Sequence, residues 1–272
     1  MGISKKFNTA YTIFRQKGPG GVWRTIRQKV NALNCVDENK MIFDILSSHT
    51  SKGIMVDVGA HHGYSHLCFA EAKWQVFAFE PDPVNRLKLL ENSGKFTNVH
   101  VDDRAVTDQL NDSVAFYSSQ ESDGVSSLLA FLPSHELSCE VRTTTLSQLI
   151  EEQKLDNIDY LKTDTEGFDL RVLKGVPWGQ LQPGVILCEF EDSKTRKLNY
   201  TYINMADYLV SKGYKVIVSE WHPIVRYGEQ HSWRGFYTYP HQLHDENAWG
   251  NLIATRNDKI YRDLLKKTKL SG

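Results

Sequence analysis

No stretch of the 272-residue chain approaches the roughly 18 apolar residues that a membrane span needs, so no spanning helix is expected. Cysteine is scarce. Cys35, Cys68, Cys139 and Cys188 are the whole set, and none forms a C-x-x-C pair, which argues against a zinc knuckle. Cys68 and Cys188 lie in apolar runs and read as core residues. No secretory signal is recognisable, so free thiols and a cytoplasmic location are the expectation. A surplus of one charge is also missing: 32 Lys+Arg against 33 Asp+Glu leave −1, the wrong balance for a general nucleic-acid binder. There is no internal repeat and no low-complexity tract. What remains, 40% hydrophobic and 24% charged, is globular material sufficient for one large domain or one domain with an extension.

The balanced charge is unevenly spread. Residues 1–30 hold seven Lys or Arg and no acid, leaving 25 basic against 33 acidic residues elsewhere. Phe7, Ala10, Tyr11 and Phe14 make one helical stripe, and Gly18-Pro19-Gly20-Gly21 breaks it. Val22 or Trp23, Ile26, Val30 and Leu33 make another. This basic two-helix arm is either a lid packed on the domain or a surface for docking to a membrane or an acidic partner. Lys6 breaks the myristoylation pattern. A third helix is expected over 38–48, with Met41, Ile42, Ile45 and Leu46 inward. Residues 1–50 thus read as a helical extension and 51–272 as the main domain.

That domain is organised around Ile54 to Ser65, IMVDVGAHHGYS. An apolar strand ends at Asp57-Val58, Gly59 opens a tight turn, Gly63 follows, and Ser65 to Lys73 can continue as a helix. Strand, glycine turn and helix begin a nucleotide-binding half. Gln75 to Phe79 is a second buried strand with Glu80 at its tip. An acid about 20 residues beyond the turn can accept both ribose hydroxyls of a nucleoside. Asp82-Pro83 caps the next helix. The dinucleotide fingerprint G-x-G-x-x-G fails, because Ala60-His61-His62 follows Gly59 and the glycine that seats a pyrophosphate is missing. A ligand with a ribose and no phosphate fits better. S-adenosylmethionine is such a ligand, and Asp57 could receive its ammonium group directly or through water.

Strands and helices continue to alternate. Val84, Leu87 and Leu90 line a helix, and Asn98 to Val101 is a third strand. Ser113 to Tyr117 and Cys139 to Thr144 form an antiparallel insertion at about 113–144, with a polar loop between them. Helix Leu146 to Gln153 precedes strands Asp159 to Lys162 and Val185 to Phe190. Tyr202, Met205, Ala206, Leu209 and Val210 keep helical spacing. Tyr214 to Ser219 and Asn251 to Thr255 are the last strands. The expected fold is α/β, a doubly wound, mostly parallel sheet of seven strands. A second insertion, at about 220–248, is rich in aromatics and His. Trp221, His222, Arg226, Trp233 and Arg234 are the candidate substrate-binding residues, since aromatic faces and Arg suit a sugar ring. The alternative is a satellite core under the loop.

Lys162-Thr163-Asp164-Thr165-Glu166-Gly167-Phe168-Asp169, followed by Val172-Leu173-Lys174-Gly175, joins VDVGAHHGYS and AFEPDP in a combination that resembles the FkbM family of S-adenosylmethionine-dependent methyltransferases. The likeness runs from about Ile54 to Phe190. It implies a Rossmann-like class I methyltransferase fold and O-methylation of a sugar or related natural product, with a carbohydrate or glycosylated small molecule as partner. It also implies that Asp57, Gly59, Ala60, His61, Gly63, Tyr64 and Ser65 form the cofactor turn. Glu80 and Pro81 would hold the ribose, Asp103, Arg104 and Ala105 would border the adenine, and Asp164 would face the methyl group. His61 stands where the family usually has Asn, and Thr145-Leu146-Ser147 where it has Thr-Leu-Asp.

An alcohol acceptor must lose its proton as the new bond forms. Asp164 is the first candidate for the base or orienting group, with Glu166, Glu189, His61 and His62 as alternatives. Asp164 with Glu189 or Glu191 could instead hold Mg²⁺, but no metal is expected. Two other functions compete. A nucleic-acid amine methyltransferase would offer a proline-aromatic cluster where Asp164-Thr165-Glu166-Gly167 stands. A non-catalytic nucleoside-binding scaffold would be expected to lose site residues, yet Gly59, Gly63, Glu80 and Asp164 are all present.

Overall fold

A computed structural model describes residues 35–119, 123–227, 229 and 231–271. The basic arm expected over 1–30 lies outside the described residues. The expected helix after it spans Glu38–Ser47, with Asp37 capping its first turn and Met41, Ile42, Ile45 and Leu46 buried. None of the helices among the described residues is long and apolar enough to cross a membrane.

In chain order the strands are β1 (Ile54–Val58), β2 (Gln75–Phe79), β3 (Val99–Asp102), β4 (Ala105–Val106), β5 (Val114–Ser119), β6 (His135–Val141), β7 (Thr143–Thr144), β8 (Tyr160–Thr163), β9 (Val185–Glu191), β10 (Lys215–Trp221), β11 (Trp233–Thr238) and β12 (Trp249–Thr255). The main sheet runs β11-β10-β12-β9-β8-β1-β2-β3. Neighbours from β3 to β9 are parallel. β12 is antiparallel to both β9 and β10, and β11 is antiparallel to β10. The seven expected strands are all present. An eighth, β11, forms inside the aromatic insertion and extends the sheet edge. The insertion at 113–144 is the antiparallel pair β5–β6, joined to the domain by the short parallel pair β4–β7.

β1, β8 and β9 are buried along nearly their whole length because both sheet faces are covered, and the charged residues they carry, Asp57, Lys162, Glu189 and Glu191, are paired. Helices Leu146–Gln153 and Tyr202–Ser211 bury Leu146, Leu149, Met205 and Leu209 on one face. Helices Glu38–Ser47 and Asp258–Thr268 bury Ile42, Leu46, Ile260 and Leu264 on the other. The helix Pro83–Ser93 corrects one expectation. Val84, Leu87 and Leu90 point to solvent, and Asn85, Leu89 and Ser93 face inward. The inward face meets the glycine turn at close range, with Leu89 against Gly63 and Ser93 bonded to His66, so small and polar groups fit there. Strand order reverses between β1, which leads to β2 on one side, and β8 on the other. That switch point opens a crevice outside the strands' carboxyl ends.

Candidate active site

The turn after β1 is built on two left-handed glycines, Gly59 at φ 72° and Gly63 at φ 85°. A Cβ on Gly59 would stand 1.8 Å from the Asp164 carbonyl oxygen, so the β1 and β8 tips can run side by side only with glycine there. The Gly59 and Ala60 N–H groups donate to the Phe79 carbonyl, tying the turn to the tip of β2. The residues beyond it form a short 3₁₀ turn, Tyr64–His66, and the helix Leu67–Glu71.

Glu80, at the end of β2, is nearly buried. Its Oε2 accepts from His61 N at 2.7 Å and its Oε1 from Asp82 N at 2.9 Å. Burial pushes its carboxyl up to about 7, although the two backbone hydrogen bonds pull the other way. Glu80 lines a solvent-open cleft of about 210 Å³ together with Gly59, His61, Pro81, Ala105, Asp164 and Glu166. Phe79, Val106, Phe116 and Leu128 give the cleft an apolar slot beside the Glu80 carboxylate. The β5–β6 insertion closes over it: Ser126 Oγ donates to Asp82 Oδ2 at 2.9 Å and Ser127 Oγ to the Glu166 carbonyl at 3.1 Å.

Asp57 does not line this cleft. It is fully buried on the far side of β1, where its Oδ2 accepts from Ser65 Oγ at 2.5 Å and pairs with His66 Nδ1 at 2.8 Å. Its Oδ1 faces Lys162 Nζ at 3.2 Å. Burial opposes the charge, but the Lys162 ammonium and the His66 hydrogen bond outweigh it and hold the carboxyl down to about 2. In this structure Asp57 anchors the turn from within the core. Lys162 also donates to the Gly59 carbonyl at 2.7 Å, so Asp57 fixes the turn through Lys162.

Other expected residues are held by neighbouring side chains. His62 stacks on His61, with ring centroids 3.6 Å apart, and its Nε2 lies 3.2 Å from Oδ1 of Asn85, which itself lines the cleft. Tyr64 is exposed, and Ser65 serves Asp57. Asp103 pairs with Arg142 on the surface, and Arg104 forks between Asp102 and Glu152; of that trio only Ala105 lines the cleft. Asn85, Phe116, Ser127, Leu128 and Phe168 line it without having been singled out. For the serines the one available signal was the polar 118–127 tract, whose pairing onto Asp82 and Glu166 is long-range.

Past β8, Asp164 is half exposed at the cleft, with Lys162 Nζ 3.6 Å from its Oδ2. Glu166 at φ 54° and Gly167 at φ 101° then turn the chain sharply. Glu166 is buried, and with Asp164 and Glu189 it brings three carboxylates within 4.8 Å of one another. A protein cation already stands among them. The buried Lys194 ammonium contacts Glu166 directly, Glu191 at 2.7 Å and Glu189 at 3.7 Å. Burial pushes Glu166 up to about 7 and Glu189 well above the usual carboxylate range, against the pull of Lys194.

The aromatic insertion divides. Trp221 is buried, donates to Glu38 Oε1 at 3.0 Å and packs on Trp249. Trp233 donates to Ser219 Oγ and packs on Phe236. Arg234 lies 3.3 Å from Glu220, His222 lies beside Arg234, and Arg226 is on the exposed loop. None of these five lines the cleft. The loop instead meets the Lys194 cluster through Tyr227, whose hydroxyl donates to Glu191 Oε1 at 3.0 Å.

A doubly wound sheet in which one reversed strand, β12, is inserted between β9 and β10, with a cleft at its switch point, is the architecture of a class I methyltransferase. The family model of the methyltransferase FkbM domain matches residues 57–216, more than half of the chain, and the chain belongs to that family. The hexuronic acid methyltransferase AglP of Haloferax volcanii is 28% identical over 143 residues, which cover 51% of this chain and 56% of that protein. The chain thus matches little more than half the length of this relative. Among solved structures, an O-methyltransferase from Bacillus cereus in complex with SAH is similar at TM-score 0.43 and 13% identity, over 83% of this chain and 86% of that one. The precorrin-6y C5,15-methyltransferase from Geobacter metallireducens is similar at TM-score 0.43 and 15% identity, over 80% and 86%.

Proposed function

We propose that this methyltransferase uses S-adenosylmethionine and methylates a hydroxyl of a sugar, in a glycan or a glycosylated small molecule. The observation that carries the cofactor is Glu80. Each of its oxygens accepts one backbone N–H and keeps a lone pair for a further donor, as a ribose diol requires. The apolar slot of Phe79, Val106, Phe116 and Leu128 suits an adenine ring, so the residues present fit the cofactor. When bound, the cofactor supplies a methyl group already activated by its sulfonium.

The chain's own task is to align the acceptor hydroxyl and exclude water. Asp164 is the carboxylate exposed in the cleft and available to take the hydroxyl proton, with Glu166 behind it. Lys194 supplies positive charge among the acids next to Asp164, where a metal-dependent enzyme would place an ion. The sugar acceptor is supported by the family resemblance and by the AglP relative, whose name specifies a hexuronic acid. The reading places the protein in the cytoplasm, with the basic segment 1–30 offering charge to an anionic membrane surface or an acidic partner. Formation of S-adenosylhomocysteine over a panel of uronic-acid and neutral glycans tests it. Turnover on a glycan supports the proposal, and turnover only on amines or nucleic acid defeats it.

A further inference from the structure

A second cluster of ligating side chains lies outside the cleft, on the sheet face covered by helix Tyr202–Ser211. Glu220, the penultimate residue of β10, is fully buried. Its register partners in the two adjacent strands are Gly250 and Gly235, so neither neighbour sets a side chain beside the carboxylate. The segment after β11 fills that slot. His241 Nε2 lies 2.8 Å and His244 Nδ1 2.9 Å from the same oxygen, Glu220 Oε2. All three ligating atoms lie within 4.8 Å of one another.

We propose that Glu220, His241 and His244 form a site for a transition-metal dication of the Zn²⁺ class. Two neutral imidazoles and a carboxylate are a three-ligand set that leaves a fourth position open. The opening is on the His244 side, where the side chain is 47% exposed and solvent can reach the cluster. Imidazole donors favour Zn²⁺, Cu²⁺ or Ni²⁺ over Mg²⁺ and Ca²⁺, which take oxygen ligands.

The ligands are held from behind. The Tyr237 ring lies parallel to His241, with centroids 4.0 Å apart, and 5.1 Å from the His244 ring. Tyr202 Oη donates to the His241 carbonyl, and His244 N donates to Glu220 Oε1 at 3.0 Å. Arg234 Nε approaches the same Oε1 at 3.3 Å, so the competing cation is on the oxygen the metal does not need. Zn–N and Zn–O bonds of about 2.0–2.2 Å put tetrahedral ligand atoms roughly 3.3–3.5 Å apart. Binding therefore asks each imidazole to withdraw from Oε2 by about half an ångström and to present a lone pair in place of the N–H that now faces that oxygen, by tautomer exchange or release of a proton. A metal there would pin the 241–244 segment to the end of β10, next to Trp221 and the loop that carries Tyr227. It would stand apart from the reacting atoms, so the inference does not depend on the proposed acceptor.

The test is titration of the metal-stripped full-length chain with Co²⁺, read by its visible ligand-field bands, followed by Zn²⁺ displacement. The expected result is one equivalent bound, displaced by Zn²⁺ and not by Mg²⁺. His244→Ala should weaken binding by at least about tenfold, and His241→Ala/His244→Ala should abolish it. Excess Zn²⁺ should raise the melting temperature of the native chain and leave that of the double variant unchanged. Should the double variant fail to fold, His244→Ala alone decides, because its side chain is half exposed. Absence of a one-equivalent Co²⁺ or Zn²⁺ complex in the native chain, or equal affinity in the His244→Ala variant, overturns the proposal.

Discussion

Replacing Glu80 tests the cofactor site most directly. The carboxylate is nearly buried and each oxygen already receives one backbone N–H, so two lone pairs remain for the ribose hydroxyls. A hydrogen bond to a charged group is worth about 1.5–3 kcal/mol net, and the pair is not additive, so Glu80→Ala should cost about 2–3 kcal/mol of affinity. That is roughly a 30- to 150-fold rise in Kd for S-adenosylmethionine by calorimetry. Glu80→Ala also strands the His61 and Asp82 N–H groups, so Glu80→Gln, which keeps one acceptor, is the companion variant. The pH dependence gives a second readout. Burial raises the Glu80 carboxyl from its ordinary 4.5 to about 7, so the ligand-free protein keeps a proton there below neutrality. A ligand that needs the carboxylate must displace that proton. Affinity should rise with pH through about 7 in the native chain and stay level in Glu80→Gln. Unchanged Kd in a folded Glu80→Ala protein would remove Glu80 from the ribose.

Asp164→Asn should lower kcat by about 100-fold or more while cofactor affinity changes at most a few-fold; a normal kcat would move the base elsewhere. Activity should persist in EDTA, because Lys194 already stands among the acids beside Asp164; loss restored by Mg²⁺ would make Glu166 and Glu189 metal ligands. Trp221→Ala should cost about 3 kcal/mol in chemical denaturation with kinetic constants kept, whereas Tyr227→Phe should raise the acceptor KM with little loss of stability. The reverse pattern would return Trp221 to the acceptor site. Glu80 and Glu166 at about 7 and Asp169 at about 6 all titrate above their ordinary values. The stability they contribute is full below about pH 4 and is lost as pH rises through 6–7, so the ligand-free urea midpoint should fall between about pH 5 and 8. A midpoint that rises over this interval refutes the assignment.

The order of elements, the glycine turn at 59 and 63, the helix start at Asp82, and Glu80 at the tip of β2 were all legible in the sequence. Each is a local matter of apolar period, turn chemistry or capping, set by residues a few positions apart. Position along the chain also placed Asp164 at the end of a strand. The chain alone could not say which side of β1 Asp57 would take. Strand alternation and the Asp57–Lys162 register turned it into the core, against an ammonium 105 residues away in sequence. Nor could it show that the β5–β6 serines close the cleft, that Lys194 stands among Glu166, Glu189 and Glu191, or that Trp221 and Trp233 pack inward while Tyr227 bonds Glu191. These are contacts between segments with no shared periodicity, created when buried charges and large rings find partners across the sheet. Burial of a charge makes such pairing obligatory, but only the packed tertiary structure selects the partner.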